Sequence, residues 1–186
     1  MPKETFISVD VETAGATPET HALLSIGACL VEDPSITFYI ELQPDRPDSS
    51  PEALAIHGLS LEALRQTGAP PAQAMQAFAD WMARVTPAGS RPVFVAFNAP
   101  FDWMFVNIYF YRYLGHNPFG HSALDIKAYY MGQGGVSWSE TSLKHISAHF
   151  LEETLLTHNA LSDAQDQARI FQRILAQTQR MLWPRE

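Results

Sequence analysis

The sequence predicts an α/β domain with a mixed central β-sheet of about five strands flanked by helices. Two observations carry this expectation. Three strand-like words open the chain, TFISVDVE, LLSIGACLVE and ITFYIEL, and the last two are parted only by the turn-forming DPS, which reads as a hairpin. After this meander, strand and helix patterns alternate, which is how sheets acquire parallel pairs. At 186 residues, with 46% apolar and 17% charged residues, the chain suits one domain spanning 1–186 with a core of its own.

The elements follow in order. QPDRPDSSPEA reads as a loop entering a short helix from Pro51 to His57. A longer helix is expected from Pro70 to Val85, where Ala74, Phe78, Trp81 and Val85 recur at helical spacing. RPVFVAFN, residues 91–98, is a buried strand, and PFDWMFVNIYFYRYL continues as a helix with Pro100 in its first turn. That helix is apolar nearly all round. It must be buried on more than one side or pack on a second copy, so a homodimer is a possible partner state. Beyond the HNPFGH loop come a short word at SALDIKAYYMG, a glycine break at 132–135, a helix near Glu140 to Phe150, and a last helix from about Leu161 to Gln179.

The totals narrow the class. The single cysteine, Cys29, cannot form an internal disulfide, which fits a reducing cytoplasm. MPKETF enters a strand at once without a signal-like apolar stretch, and no apolar run reaches the length of a membrane span. The formal charge of −8 argues against broad binding of duplex DNA, which wants a basic face.

The chemistry begins at FISVDVETAG. Side chains two apart on a strand share a face, so Asp10 and Glu12 place two carboxylates side by side in an otherwise apolar strand. Burying them is costly unless a cation compensates, and no Lys or Arg is near in sequence. All-oxygen donors suit Mg²⁺ or Mn²⁺. On its own such a pair is also met at solvated strand ends. In FVAFNAPFDWMF, Asp102 stands where a helix follows a buried strand, a place where ligand sites collect in α/β sheets, although an acid there also favours a helix N-terminus. In THNALSDAQDQARIF, His158 precedes the last helix and Asp163 lies in its first turns, with Leu161 and Ala164 turned to the core and Asp163 elsewhere. Ser162 or Asp163 could equally cap that helix.

In this order the three words resemble the DEDDh branch of the 3′→5′ exonucleases, within the ribonuclease H-like superfamily. The likeness also covers SPEALAIHGLSLEAL and TSLKHI, and runs from about Thr5 to Leu175. The resemblance implies a ribonuclease H-like fold and a site in which Asp10, Glu12, Asp102 and Asp163 hold two Mg²⁺ or Mn²⁺ ions, Asp10 bridging both. Glu12 and Asp163 would complete the nucleophile's side, Asp102 the leaving-group side, and His158 would be the general base, active only while unprotonated. Two like charges at about 4 Å repel by roughly 4 kcal/mol at an effective dielectric near 20, so the acids should be strained or partly protonated without cations. The substrate implied is the 3′ end of single-stranded or short DNA or RNA, shortened to nucleoside 5′-monophosphates.

Other residues carry weaker expectations. By resemblance, Thr13 and Gly15 bring backbone amides to the terminal nucleotide and His57 touches its sugar or base; a plain turn and a helix-ending histidine are the alternatives. Phe97, Asn98 and Phe101 belong to the second motif, and Phe97, Phe101 and Trp103 could stack bases or simply pack. The family usually has histidine before the motif asparagine. Here that residue is Phe97, and Pro100 within the motif is also unusual. His145 and His149 have zinc-pair spacing but no third ligand. Asp125 and Asp166 read as supporting or solvated. Two other functions share these residues: a catalytically weak nucleic-acid-binding module, and a metal-dependent phosphodiesterase on small nucleotides.

Overall fold

The computed structural model describes residues 3–150 and 158–182. Alternation along the first strand sets the architecture. In β1 (Lys3–Thr13), Ile7, Val9 and Val11 point to one face of the sheet, and Phe6, Ser8, Asp10 and Glu12 to the other. β1 is central in a five-stranded sheet of order β3-β2-β1-β4-β5. It pairs antiparallel with β2 (Leu23–Leu30), which pairs antiparallel with β3 (Thr37–Glu41) as the expected hairpin. On its other side β1 runs parallel to β4 (Ser90–Ala96), and β4 parallel to β5 (Ala123–Asp125). The expected mixed sheet is therefore present.

Helices cover both faces. Two short ones, α1 (Pro51–His57) and α2 (Leu61–Thr67), are capped by Ser50 and Ser60. The helices α3 (Pro71–Val85) and α4 (Ala99–Leu114) cover Ile7, Val9 and Phe94 in the larger core, where Phe78 stacks on Phe38 and Phe110. Much of α4's apolar surround is used within the chain, leaving Ile108 and Tyr111 as its exposed large apolar residues. On the opposite face lie α5 (Ile126–Gly134), α6 (Leu143–Phe150) and α7 (Ala160–Leu182), around Val95, Ile146, Phe171 and Ile174.

Two expected boundaries are corrected. The glycine break does not interrupt α5, which runs through Gly132 and ends at Gly135, whose φ of 63° supplies the left-handed C-cap. The helix expected from Glu140 is two pieces. Ser137 and Glu140 form a capping box for a short 3₁₀ turn, Trp138–Thr141, and α6 starts only at Leu143. Among the described residues, no helix is long and apolar enough to cross a membrane.

Candidate active site

The site forms where β1 outruns its parallel neighbour. Pairing with β4 stops at Ser8, whereas β1 continues to Thr13. Beyond that point the Val11 amide has no strand partner on the β4 side. It donates instead to the Asp102 carboxylate at 3.1 Å, which brings the first turn of α4 against β1. Asp102 is 4% exposed. From the other face α7 lies across β1 and β2. The strand face on that side carries the small residues Ser8, Ser25, Gly27 and Cys29. A Cβ on Gly27 would stand 2.2 Å from backbone atoms of Ala160 and Leu161. The approach buries Asp163 beside Asp10 and Glu12, while its neighbour Ala164 enters the apolar core.

As a result one carboxylate oxygen each from Asp10, Glu12 and Asp163 lies within 4.8 Å of the others. Asp102 closes the group from the α4 side. Among the described residues, no Lys or Arg forms an ion pair with Asp10, Glu12 or Asp102. The crowding shows in their acidity. Burial, then the charges of Asp102, Glu12 and Asp163, raise the Asp10 pKa well above the usual carboxylate range. Burial and then Asp163 push Glu12 up to about 7. Burial pushes Asp102 to about 8, against the Val11 amide, which favours its charged form. The carboxylate oxygens of Asp10, Glu12, Asp102 and Asp163 are a donor set suited to hard divalent cations.

The supports are built as carefully. Gln167 donates from Nε2 to Asp10 at 2.6 Å and accepts the Phe97 amide on Oε1 at 2.8 Å, tying α7, β1 and the end of β4 together. Asp125 accepts from Ala99 at 2.6 Å and from Ala128 at 2.7 Å, so one carboxylate caps both α4 and α5. Asn98, at φ 65°, leaves α4 without a cap of its own. Asn159 accepts the Ser162 amide and so starts α7, taking the capping role considered for Ser162 and Asp163. Sequence reasoning missed Gln167, although it stands four residues after Asp163 on one helix face. It missed Gly27 too, although a glycine inside an apolar strand signals a close backbone approach.

The remaining expected residues fall as follows. His158 is exposed, with φ 50°, just before the α7 cap. His57 accepts the Leu59 amide on Nδ1 at 3.0 Å, so its proton is on Nε2, which donates to the Thr13 carbonyl at 3.2 Å. Burial and then the charge of His158 keep His57 below its ordinary pKa, against the Thr13 carbonyl. Both His57 nitrogens are thus engaged within the chain. Thr13 Oγ1 donates to the Gly15 carbonyl, and the ring of His21 occupies the space a Cβ on Gly15 would need. Phe97 packs on the α7-side core, Phe101 on Phe105 and Trp103 on Phe94, while Asn98 is exposed. Asp166 pairs with Arg169. The side chain of His149 lies outside the described residues, and His145 bonds to Ser142.

Acids gathered at the open end of a central strand, in a mixed α/β sheet, make a site with the donors of a metal-dependent hydrolase. The exonuclease family RNase_T matches residues 7–171, and the chain belongs to this family of 3′→5′ exonucleases. It is 46% identical over 172 residues to the 3′-5′ DNA exonuclease Cap18 of Escherichia coli, covering 92% of each protein. The nuclease domain of 3′hExo, a DEDDh family member bound to rAMP, superposes with a TM-score of 0.77 at 19% identity, over 94% of this chain and 93% of that one. E. coli Exonuclease I in complex with a dT13 oligonucleotide gives a TM-score of 0.71 at 20% identity, over 97% of this chain and 42% of that one. These two likenesses concern the fold.

Proposed function

We propose that the chain, acting as one exonuclease domain in the cytoplasm, removes nucleoside 5′-monophosphates from single-stranded DNA 3′ ends with two bound Mg²⁺ or Mn²⁺ ions. The observation that carries this reading is the convergence of Asp10, Glu12 and Asp163 within 4.8 Å, with Asp102 drawn in by the Val11 amide. The 46% identity to a DNA exonuclease supports DNA as the substrate.

Asp10, Glu12, Asp102 and Asp163 would hold the cations. When bound, divalent cations supply a water of lowered pKa and positive charge at the attacking and departing oxygens. Asp10 is oriented by Gln167 and Asp102 by the Val11 amide, so neither carboxylate need search for its geometry. His158, in a loop before α7, takes the proton of the attacking water. With its neighbour His57 held neutral, the imidazole side of the site adds no second fixed acid. Thr13 and Gly15 border the place of the terminal nucleotide.

A small-nucleotide phosphodiesterase would use the same acids, and substrate length separates the two. Incubation with 5′-labelled single-stranded DNA and RNA under Mn²⁺ should give a ladder shortening from the 3′ end, with DNA preferred. EDTA and Asp10→Ala should abolish it. Hydrolysis confined to dinucleotides, with longer strands untouched, would contradict the reading. A homodimer would have to cover Ile108 and Tyr111 of α4; light scattering that gives a monomer mass excludes it.

A further inference from the structure

The parallel strands β1, β4 and β5 end on the same edge of the sheet, and each hands the chain to residues of chemical interest there. The end of β1 carries Asp10 and Glu12, and after β4 comes Phe97. After β5 comes Lys127, in the first turn of α5. The Lys127 ammonium lies 4.2 Å from the ring centroid of Trp138 and 6.0 Å from that of Phe97. Trp138 is 54% exposed, among the most exposed large apolar residues described. Phe97 is joined to the site through its amide, which bonds Gln167, which in turn bonds Asp10.

The chain's 12 basic residues are outnumbered by 20 acids, and Arg46, Arg65, Arg91, Arg112 and Arg169 are all paired with carboxylates. Lys127 is instead held over the rings of Trp138 and Phe97, the latter linked to Asp10 through Gln167. Ring faces favour the cation and leave its charge uncancelled. An exposed indole next to an uncancelled ammonium offers a surface for a base and a point of attraction for its phosphate.

We propose that Trp138 and Lys127, backed by Phe97, grip the single strand at nucleotides beyond the terminal one, the indole stacking a base and the ammonium meeting a phosphate. The inference rests on the reading that the substrate is a single strand. It assigns binding of the strand to the β5–α5 edge, where an otherwise acidic protein keeps a positive point.

The test compares kcat/KM for a 5′-labelled oligothymidylate with that for thymidine 5′-monophosphate p-nitrophenyl ester, which offers only one nucleotide. In Trp138→Ala and Lys127→Ala the ratio of the two should fall about tenfold. In Lys127→Ala the slope of log KM for the oligonucleotide against log salt should also flatten by about 0.7. Trp138→Phe and Lys127→Arg should keep most of the ratio. A ratio unchanged in both alanine variants, equal losses on both substrates, or an unaltered salt slope in Lys127→Ala overturns the proposal and leaves the single-strand reading standing. If the wild-type enzyme cleaves the ester but does not shorten the oligonucleotide, the single-strand reading fails and the grip fails with it.

Discussion

Asp10 and Glu12 are tolerable in a buried strand only because neighbours have been arranged around them. Gln167 holds Asp10 by a hydrogen bond and is itself fixed by the Phe97 amide. Gln167→Ala should lower divalent-cation affinity by 10- to 100-fold, the usual cost of losing an outer partner of a ligand, as measured by Mn²⁺ titration calorimetry. Gln167→Glu should be worse still, since it adds a carboxylate to the cluster. His158→Ala should reduce kcat by 10²- to 10⁴-fold while leaving Mn²⁺ affinity within twofold, because a general base acts on the water rather than on the cation. The acids of the cluster could be singled out in the sequence: strand alternation puts Asp10 and Glu12 on one face, and the ordered motifs that resemble the exonuclease family pick out Asp102 and Asp163 at helix starts. Gln167 could not, because its partners Asp10 and Phe97 are 157 and 70 residues away and only the packing of α7 reveals them.

At the level of elements, the site is a consequence of how closely α4 and α7 approach the sheet. Gly27→Ala would place a methyl group against the backbone of Ala160 and Leu161, which cannot yield as a side-chain tip can. It should cost about 1–3 kcal/mol in denaturant unfolding and, by lifting Asp163 off the cluster, remove most activity under Mn²⁺. Wild-type activity in a folded Gly27→Ala protein would show that α7 can shift without moving its acid. Asp125→Ala removes the acceptor of both Ala99 and Ala128, two caps at about 1 kcal/mol each, and it should lower activity because α4 carries Asp102. The order and type of elements were readable from periodicity and turn residues. The boundaries that were not are α5 running through Gly132, where Ile126 and Tyr129 fix the helix to the core, and the 3₁₀ turn split from α6, which the Ser137–Glu140 capping box closes as a turn of its own.

For the whole molecule, the carboxylate cluster couples stability to pH and to cations. Glu12 and Asp102 have folded-state pKa values near 7 and 8, and Asp10 is raised as well. All exceed the unfolded values near 4, so the folded chain keeps protons that the unfolded chain has released. Their contribution is therefore present at acid pH and lost as pH rises through 7 to 8. For Glu12 alone the shift corresponds to about 3 kcal/mol. In EDTA, urea unfolding should show lower stability at pH 8 than at pH 5, a slope reduced in Asp102→Asn, with Mn²⁺ restoring stability at pH 8. A stability in EDTA that climbs from pH 5 to pH 8 would contradict the assignment. The net charge of −8 looked ill-suited to a nucleic-acid enzyme, and the fold accounts for much of it by concentrating acids where cations are expected. The most direct measurement is anomalous scattering from crystals of the enzyme soaked in Mn²⁺. Manganese should be found among Asp10, Glu12, Asp102 and Asp163; an empty cluster in crystals that still cleave single-stranded DNA under Mn²⁺ would contradict it.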